Sequence, residues 1–131
     1  MTYLLDTDTC IGILRQRPGM VARLQAVAPN ECAVSTITIY ELMAGVARAA
    51  DPKKERAKIE AFAKMVVELP FDRKSAETAG AVRSDLEAKG QVIGPYDLLL
   101  AGHCLSLGLT FVTNNVREFS RVQNLKIQSW P

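Results

Sequence analysis

The stretch TYLLDTDTCIGILRQR, residues 2–17, decides how this chain is expected to fold. Residues 2–6 form a short apolar run that ends in Asp6, and residues 9–17 carry apolar side chains at helical spacing. A short strand that leads through an acidic residue into a helix is typical of an α/β protein, in which parallel strands alternate with helices.

The rest of the chain repeats this alternation. Further strand-like runs lie at 32–38, 66–71, 109–114 and 125–130, the last as an edge strand. Helical patterns fall at 20–27, 39–50, 53–66, 74–90, 95–107 and 116–122. We therefore predict a three-layer α/β/α fold around a mainly parallel sheet of roughly four to five strands.

Composition is that of one globular domain spanning residues 1–131, with 48% hydrophobic residues and a net charge of only +2. The three cysteines, Cys10, Cys32 and Cys104, are far apart and predict neither a disulfide framework nor a thiolate metal site. No apolar run approaches the roughly 20 residues of a membrane span, and Asp6 interrupts the first apolar run before a signal sequence could develop. A reducing, cytoplasmic location is expected.

Acidic and polar residues gather where strands are predicted to end. Parallel α/β sheets bind ligands beyond the carboxyl ends of their strands, so these side chains are expected to meet at one edge. The candidates are the acids Asp6, Glu41, Asp97 and Glu118 and the accessory polar residues Asp8, Thr113 and Asn115.

Each acid also has a purely structural explanation. Thr38 and Glu41 match the S/T-x-x-E capping box at a helix start. Asp97, two residues after a proline, could complement the helix dipole, and Asp6 or Thr7 could cap the first helix.

Energetics favour a shared site over separate caps. A cap contributes about 1 kcal/mol, whereas two carboxylates about 4 Å apart repel by about 4 kcal/mol at an effective dielectric of 20. A divalent cation offsets such repulsion, and an all-oxygen ligand set suits Mg²⁺ or Mn²⁺. Such an ion activates water for attack on phosphorus, which predicts hydrolysis of a phosphodiester or phosphomonoester.

Other catalytic arrangements are poorly represented. His103, the only histidine, lies six residues after Asp97 and so on a different face of that helix, which indicates a structural role. The cysteines are expected to be core residues rather than nucleophiles, although Cys104 shares the helix face of Asp97. No G-x-S-x-G elbow and no P-loop is present.

The remaining charge is basic. Without the four candidate acids, 10 acidic residues face 16 basic ones, a surplus that suits a polyanion held over an acidic site. The candidate basic residues are Arg15, Arg17, Arg48, Lys53, Lys54, Arg117 and Arg121. The amphipathic aromatics are too scattered in sequence to predict a base-stacking platform: Tyr3, Tyr40, Tyr96 and Trp130.

Four segments together resemble the PIN-domain ribonucleases, and closely the VapC toxins of bacterial toxin–antitoxin pairs. They are YLLDTDTCI (3–11), STITIYEL (35–42), GPYDLLLAGH (94–103) and FVTNNVREF (111–119). The resemblance extends from Tyr3 to Trp130 and is specific because four motifs occur in order.

This resemblance implies a Rossmann-like PIN fold and endonucleolytic cleavage of RNA by water attack with Mg²⁺ or Mn²⁺. The acids that such proteins share correspond to Asp6, Glu41 and Asp97. Many PIN proteins carry a fourth acid where this sequence has Asn115, with Glu118 three residues further on. Asp8 stands where a neutral polar residue is common.

The resemblance also implies partners. Such toxins form homodimers, and heterotetramers or larger complexes with a VapB-like antitoxin whose tail lies in the groove. Relatives with a similar TNNxREF ending cut tRNA, including initiator tRNA, so tRNA is the expected substrate. Arg15, Arg48 and Arg117 are the candidate contacts with RNA or antitoxin.

Three alternatives stay open at this stage. LLDTDTC nearly matches the D-x-D-x-T/V signature of haloacid-dehalogenase-like phosphatases, with Asp6 as nucleophile but Cys10 at the last position. A receiver-like signalling module would use Asp72 as its phosphoacceptor, although the position of Asp72 also fits a helix N-cap. A catalytically silent, regulatory PIN-like module is the third.

Overall fold

The computed structural model describes all 131 residues around one five-stranded sheet. Its strands are β1 (Tyr3–Leu5), β2 (Cys32–Ser35), β3 (Val67–Leu69), β4 (Thr110–Val112) and β5 (Lys126–Gln128). The order across the sheet is β3-β2-β1-β4-β5, and every neighbouring pair is parallel. The predicted parallel sheet is confirmed, with five strands.

Seven α-helices connect or follow these strands. They are α1 (Thr7–Leu14), α2 (Pro18–Ala26), α3 (Thr36–Ala44), α4 (Pro52–Ala63), α5 (Arg73–Ala88), α6 (Pro95–Leu107) and α7 (Val116–Phe119). Two short 3₁₀ turns add Pro29–Glu31 and Val46–Arg48. None of the helices combines the length and apolar character that crossing a bilayer requires.

Helices cover both faces of the sheet, as the alternation of side chains along a strand requires. Leu5 and Val34 point into a core shared with α1, α2, α3 and α4. Their neighbours Leu4 and Ala33 point into a second core shared with α5, α6 and α7. Because both faces are covered, the three central strands β1, β2 and β4 are mainly apolar, whereas the edge strands β3 and β5 carry Glu68, Lys126 and Gln128.

Strand β1 occupies the centre of the sheet, where the direction of the chain's winding reverses. Successive connections run outward from β1 through β2 to β3, and the chain then returns to place β4 on the other side of β1. The amide of Asp6 donates to the Val112 carbonyl at 3.0 Å, which ties the ends of β1 and β4 together. This crevice is the position where open α/β sheets bind ligands.

The second strand is shorter than predicted. We expected it to reach Thr38, but it ends at Ser35, whose hydroxyl accepts a 3.0 Å bond from the Ile37 amide and caps α3. The capping-box explanation for Thr38 and Glu41 is therefore wrong, because the helix has already begun. Glu41 consequently lies in the second turn of α3 rather than the first.

Helices α1 and α2 also begin differently from the prediction. The side chain of Asp6 caps α1, so this helix starts at Thr7, two residues earlier than expected. Helix α2 was predicted from residue 20 but begins at Pro18, where the missing N–H of proline costs nothing.

Helices α5 and α6 pack closely because a glycine lies at their contact. A Cβ added to Gly102 would lie 2.4 Å from Cα of Ala79, so α6 has no room for any side chain there. This contact fixes α6, and with it the helix start that carries Asp97, against the second core.

Candidate active site

Asp6 is both a helix cap and a buried acid at the edge of the sheet. Its Oδ1 accepts a 2.7 Å bond from the Thr9 amide, and its side chain is only 4% exposed. Burial raises the pKa of this carboxyl, against hydrogen bonds from Thr113 and Thr9 that lower it. The cap and the site are one feature, since capping α1 holds the carboxylate at the crevice.

Glu41 reaches this edge through a hydrogen bond from α1. The hydroxyl of Thr7 donates to Oε1 of Glu41 at 2.7 Å and lies 3.0 Å from the hydroxyl of Thr38. The bond links the start of α1 to the second turn of α3. The sequence predicted Thr7 only as a cap, and its position directly after the strand acid was the available signal.

Asp97 is the acid whose pKa responds to the other three. It lies in the first turn of α6, and its pKa is raised to about 7 by burial, by a hydrogen bond with Glu118 and by the charges of Glu118, Glu41 and Asp6. Oδ2 of Asp97 and Oε1 of Glu118 would lie 3.3 Å and 4.0 Å from a Cβ added at Gly94, so these two acids are neighbours at the start of α6, and Asp6 and Glu41 are near enough for their charges to act on Asp97.

Glu118 is the ionised partner of Asp97. Burial works to raise the pKa of Glu118, but hydrogen bonds from Asp97, Asn115 and the Gly94 amide outweigh it, so this pKa lies below its usual range. Asp97 is therefore the carboxyl of this pair that binds a proton more readily.

Gly94 lets these two acids approach the chain at the start of α6. Its amide donates to Oε1 of Glu118 at 3.3 Å, and a Cβ added there would lie 3.3 Å from Oδ2 of Asp97. Sequence reasoning missed this residue, because a glycine before Pro95 reads simply as a turn.

The accessory polar residues separate into two groups. Buried Thr113 bonds Asp6 and accepts a 3.0 Å bond from the Asn115 amide. Asn115 in turn donates from Nδ2 to Oε2 of Glu118 at 2.7 Å. Asp8, by contrast, is exposed and lines a neighbouring groove, although its charge reaches Asp6.

The chemistry of this donor set fits a hard cation. The protein's five ion pairs involve none of the four acids, and the proton on Asp97 relieves part of their mutual repulsion. No three of the His, Cys, Asp and Glu side chains are arranged closely enough to hold a metal ion. Carboxylates with hydroxyl and amide oxygens nearby are the donors that Mg²⁺ and Mn²⁺ prefer.

Two grooves share Ile11 and Arg15 in their lining, and one of them is lined by Glu41. The first, of about 550 Å³, runs between α1, α3 and α4 and is lined in part by Glu41, Arg15 and Arg48. The second, of about 500 Å³, is more polar, and Arg15 and Arg17 lie along it. Arg15 thus lines both, whereas Arg117 lines neither.

His103 and the cysteines take no part in this site. Nδ1 of buried His103 lies 2.9 Å from the Ser35 hydroxyl, and burial lowers the pKa of the ring. Cys10, Cys32 and Cys104 are fully buried, and burial raises the pKa of the Cys104 thiol to about 12. The predicted structural roles are confirmed, and a thiolate nucleophile is disfavoured.

The structure corrects the expectation that the aromatics are scattered. Tyr40 and Tyr96 are 56 residues apart in sequence, yet their hydroxyls lie 3.0 Å apart and their ring centroids 5.5 Å apart. Tyr3 and Trp130 form a separate pair, with ring centroids 5.7 Å apart.

Comparison with known proteins assigns the chain to a family. The family model described as the PIN domain matches residues 3–125. The chain belongs to the PIN-domain family. Among its PIN-domain relatives, the tRNA(fMet)-specific endonuclease VapC of Salmonella typhimurium is 35% identical over 130 residues, which cover 99% of this chain and 98% of the relative. Ribonuclease VapC2 of Rickettsia felis is 34% identical over 132 residues, with the same coverage.

Solved PIN-domain structures agree with this assignment. A chain of the DNA-bound VapBC complex from Salmonella typhimurium is 35% identical and superposes with a TM-score of 0.95, covering 100% of this chain and 99% of that one. The VapC resemblance and the three-layer fold are thus confirmed. The phosphatase and receiver alternatives gain no support, and Asp72 caps α5 through a 2.9 Å bond from the Ser75 amide.

Proposed function

We propose that this protein is the metal-dependent endoribonuclease toxin of a VapBC-type pair, acting in the cytoplasm as a single PIN domain of residues 1–131. The observation that carries the proposal is that Asp6, Glu41, Asp97 and Glu118 are held at one edge of the sheet by bonded neighbours, in a fold shared with VapC ribonucleases. The basic surplus elsewhere on the chain suits an RNA substrate.

Asp6, Glu41 and Asp97 are the residues that would hold Mg²⁺ or Mn²⁺, and they would have to move closer together to do so, since no three acids are arranged closely enough to hold the ion as they stand. The bound ion would lower the pKa of a water and stabilise negative charge on a phosphoryl oxygen. Thr7 and Thr113 keep two of these carboxylates in place through the hydrogen bonds to Glu41 and Asp6. Such supporting hydrogen bonds fix the orientation of ligands that are otherwise free to rotate.

Glu118 is assigned the proton-transfer role. The hydrogen bonds from Asn115 and Gly94 hold both of its carboxylate oxygens, and its lowered pKa keeps it ionised at neutral pH. An ionised carboxylate at the rim of the site can accept the proton of an attacking water at Oε1 or Oε2.

Arg15 and Arg48 are the basic residues best placed to contact RNA. Both line the first groove together with Glu41, so a phosphate chain in this groove would lead directly to the acids. Arg117 stays a candidate at the surface outside both grooves. Since the Salmonella relative is named a tRNA(fMet)-specific endonuclease, tRNA, including initiator tRNA, is the proposed substrate.

A VapB-like antitoxin is the proposed protein partner. The solved relative is a VapBC complex, and the first groove here offers both hydrophobic residues and the charged Arg15, Glu41 and Arg48 to a docked protein segment. We further propose a homodimer that forms heterotetramers or larger complexes with this antitoxin.

The test is incubation of the purified protein with bulk tRNA and added Mg²⁺ or Mn²⁺, followed by mapping of the new 5′ ends. Cleavage at a few defined positions that stops on addition of EDTA would support the proposal. Tight antitoxin binding without any cleavage would instead identify a silent regulatory module. Hydrolysis of p-nitrophenyl phosphate through an aspartyl-phosphate that can be trapped on Asp6 would favour the phosphatase.

A further inference from the structure

Two exposed tyrosines bridge α3 and α6 beside the acids. Tyr40 is 53% exposed and Tyr96 is 42% exposed, and their rings are tilted by 59° to each other. Their hydroxyls share the 3.0 Å hydrogen bond described above. Two large aromatic side chains are therefore held together while leaving much of their surface to solvent.

The pair lies at the mouth of the acidic site. Tyr40 directly precedes Glu41 on α3, and Tyr96 directly precedes Asp97 on α6. A group bound against these rings would lie next to the proposed cation ligands.

Neither tyrosine is needed to complete a core. Both hydrophobic cores are formed by other residues, and neither ring belongs to them or packs at their margins. Exposed aromatic rings beside a site that acts on nucleic acid are suited to stacking, because every base presents a π-face.

We propose that Tyr40 and Tyr96 form a stacking platform for an unpaired nucleobase adjacent to the scissile phosphate. The inference rests on the proposed RNA-cleaving function and adds to it a requirement for an unstacked base. Duplex RNA keeps its bases paired and stacked, so the platform would select loops and other single-stranded segments.

RNA is favoured over a protein occupant by what surrounds the rings. The pair is next to Glu41 and Asp97 in sequence rather than to an apolar patch. The two tyrosine hydroxyls already share a hydrogen bond with each other, so they need no further polar partner. A second copy of this chain seated on the same rings is the competing occupant, and the experiment separates the two.

The experiment measures RNA binding and base stacking without cleavage. Tyr40→Ala, Tyr96→Ala, Tyr40→Phe and Tyr96→Phe are each made in the Asp97→Asn background. The probes are fluorescein-labelled bulk tRNA, for the dissociation constant, and single-stranded oligoribonucleotides with 2-aminopurine at one position in turn, whose fluorescence is quenched on stacking. Met65→Ala is the matched control, since Met65 is 51% exposed and follows α4 just before β3.

We expect each alanine variant to weaken tRNA binding by about tenfold and to abolish quenching at one or two probe positions. The phenylalanine variants should bind within about twofold of the parent, because stacking needs the ring and not the hydroxyl. Thermal denaturation and light scattering of every variant report folding and mass. Met65→Ala should change none of these quantities.

Three results would overturn the inference. Alanine variants that bind and quench like the parent would show that no base stacks on the rings. A halved mass with unchanged RNA binding per chain would identify a contact between two copies. Equal losses in the alanine and phenylalanine variants, with a lowered melting temperature, would indicate a structural bridge between α3 and α6.

Different results would show that the stacking platform is wrong and that the proposed function itself is wrong. If the unmodified protein cuts bulk tRNA with Mg²⁺ or Mn²⁺ and the alanine variants bind tRNA and quench the probes as Asp97→Asn alone does, only the stacking platform is wrong. If the unmodified protein neither cuts nor binds any RNA, the proposed function falls and the platform with it.

Discussion

The hydroxyl of Thr7 donates a 2.7 Å hydrogen bond to Oε1 of Glu41, and this bond joins the start of α1 to the second turn of α3. Glu41 is the one candidate ligand that does not lie at a helix start or directly after a strand. Its orientation towards Asp97 therefore depends on a side chain from another element.

The first prediction concerns Thr7 itself. Thr7→Val keeps the shape of the side chain but removes the donor, and we expect RNA cleavage to fall by about 10-fold or more, as is usual for residues that orient metal ligands. Thr7→Ser restores a hydroxyl and should recover most of the rate. Single-turnover cleavage of bulk tRNA measures both variants. Equal activity of Thr7→Val and the parent would show that Glu41 needs no such support.

The second prediction is that Asp97→Asn stabilises the metal-free protein. The folded-state pKa of Asp97 is about 7 against an ordinary value of 3.8, so the fold binds this proton more tightly than the unfolded chain does. The stabilising contribution of this proton is fully present below the ordinary value and is lost as pH rises through about 7.

Thermal denaturation in EDTA tests this sign. At about pH 8 the Asp97→Asn variant should melt on the order of a few degrees above the parent, and at about pH 4 the difference should disappear. Added Mg²⁺ should raise the melting temperature of the parent more than that of the variant. A melting difference that is the same at both pH values would contradict the raised pKa.

The third prediction concerns the position where many PIN proteins have a fourth acid. Asn115→Asp replaces the amide that donates to Glu118 with a fifth carboxylate beside the site. We expect tighter binding of Mg²⁺ or Mn²⁺ by calorimetric titration, together with lower stability in EDTA because the new charge repels Glu118. An unchanged titration would place residue 115 outside the cation's surroundings.

The fourth prediction tests the packing that fixes α6. Gly102→Ala forces a methyl group against Ala79, and we expect the free energy of unfolding to fall by about 1–3 kcal/mol. Gly80→Ala is the matched control in α5, where an added Cβ meets nothing within 4 Å. It should be neutral or raise the free energy by about 0.5–1 kcal/mol, since alanine is the better helix former. Urea denaturation compares the two, and equal effects would argue against close α5–α6 packing.

Local sequence signals located much of this architecture. Helix α6 was predicted with both ends correct, because Pro95 marks its first residue and Gly108, in the left-handed conformation, marks its end. The central strands were found because they are buried on both faces and read as apolar runs. Ser35 and Thr38 are both residues that can cap a helix. Ser35 caps α3, so the second strand ends three residues earlier than we expected.

Contacts between distant elements could not be read in the same way. The pairing of Tyr40 with Tyr96 and the bond from Thr7 to Glu41 depend on how α1, α3 and α6 pack, which no local pattern specifies. Asp6, Asp97 and Glu118 were found individually because each follows a strand or begins a helix. Glu41 was found because the second strand was predicted to end closer to it than it does. Their convergence on Asp97 required the strand order.

The most direct measurement is the rate of RNA cleavage by the unmodified protein and by Asp97→Asn, each shown to be folded by thermal denaturation, with bulk tRNA and Mg²⁺ or Mn²⁺. Our account predicts endonucleolytic cleavage by the unmodified protein and none above background by the variant. Cleavage by Asp97→Asn at the rate of the unmodified protein would contradict the assignment of this site.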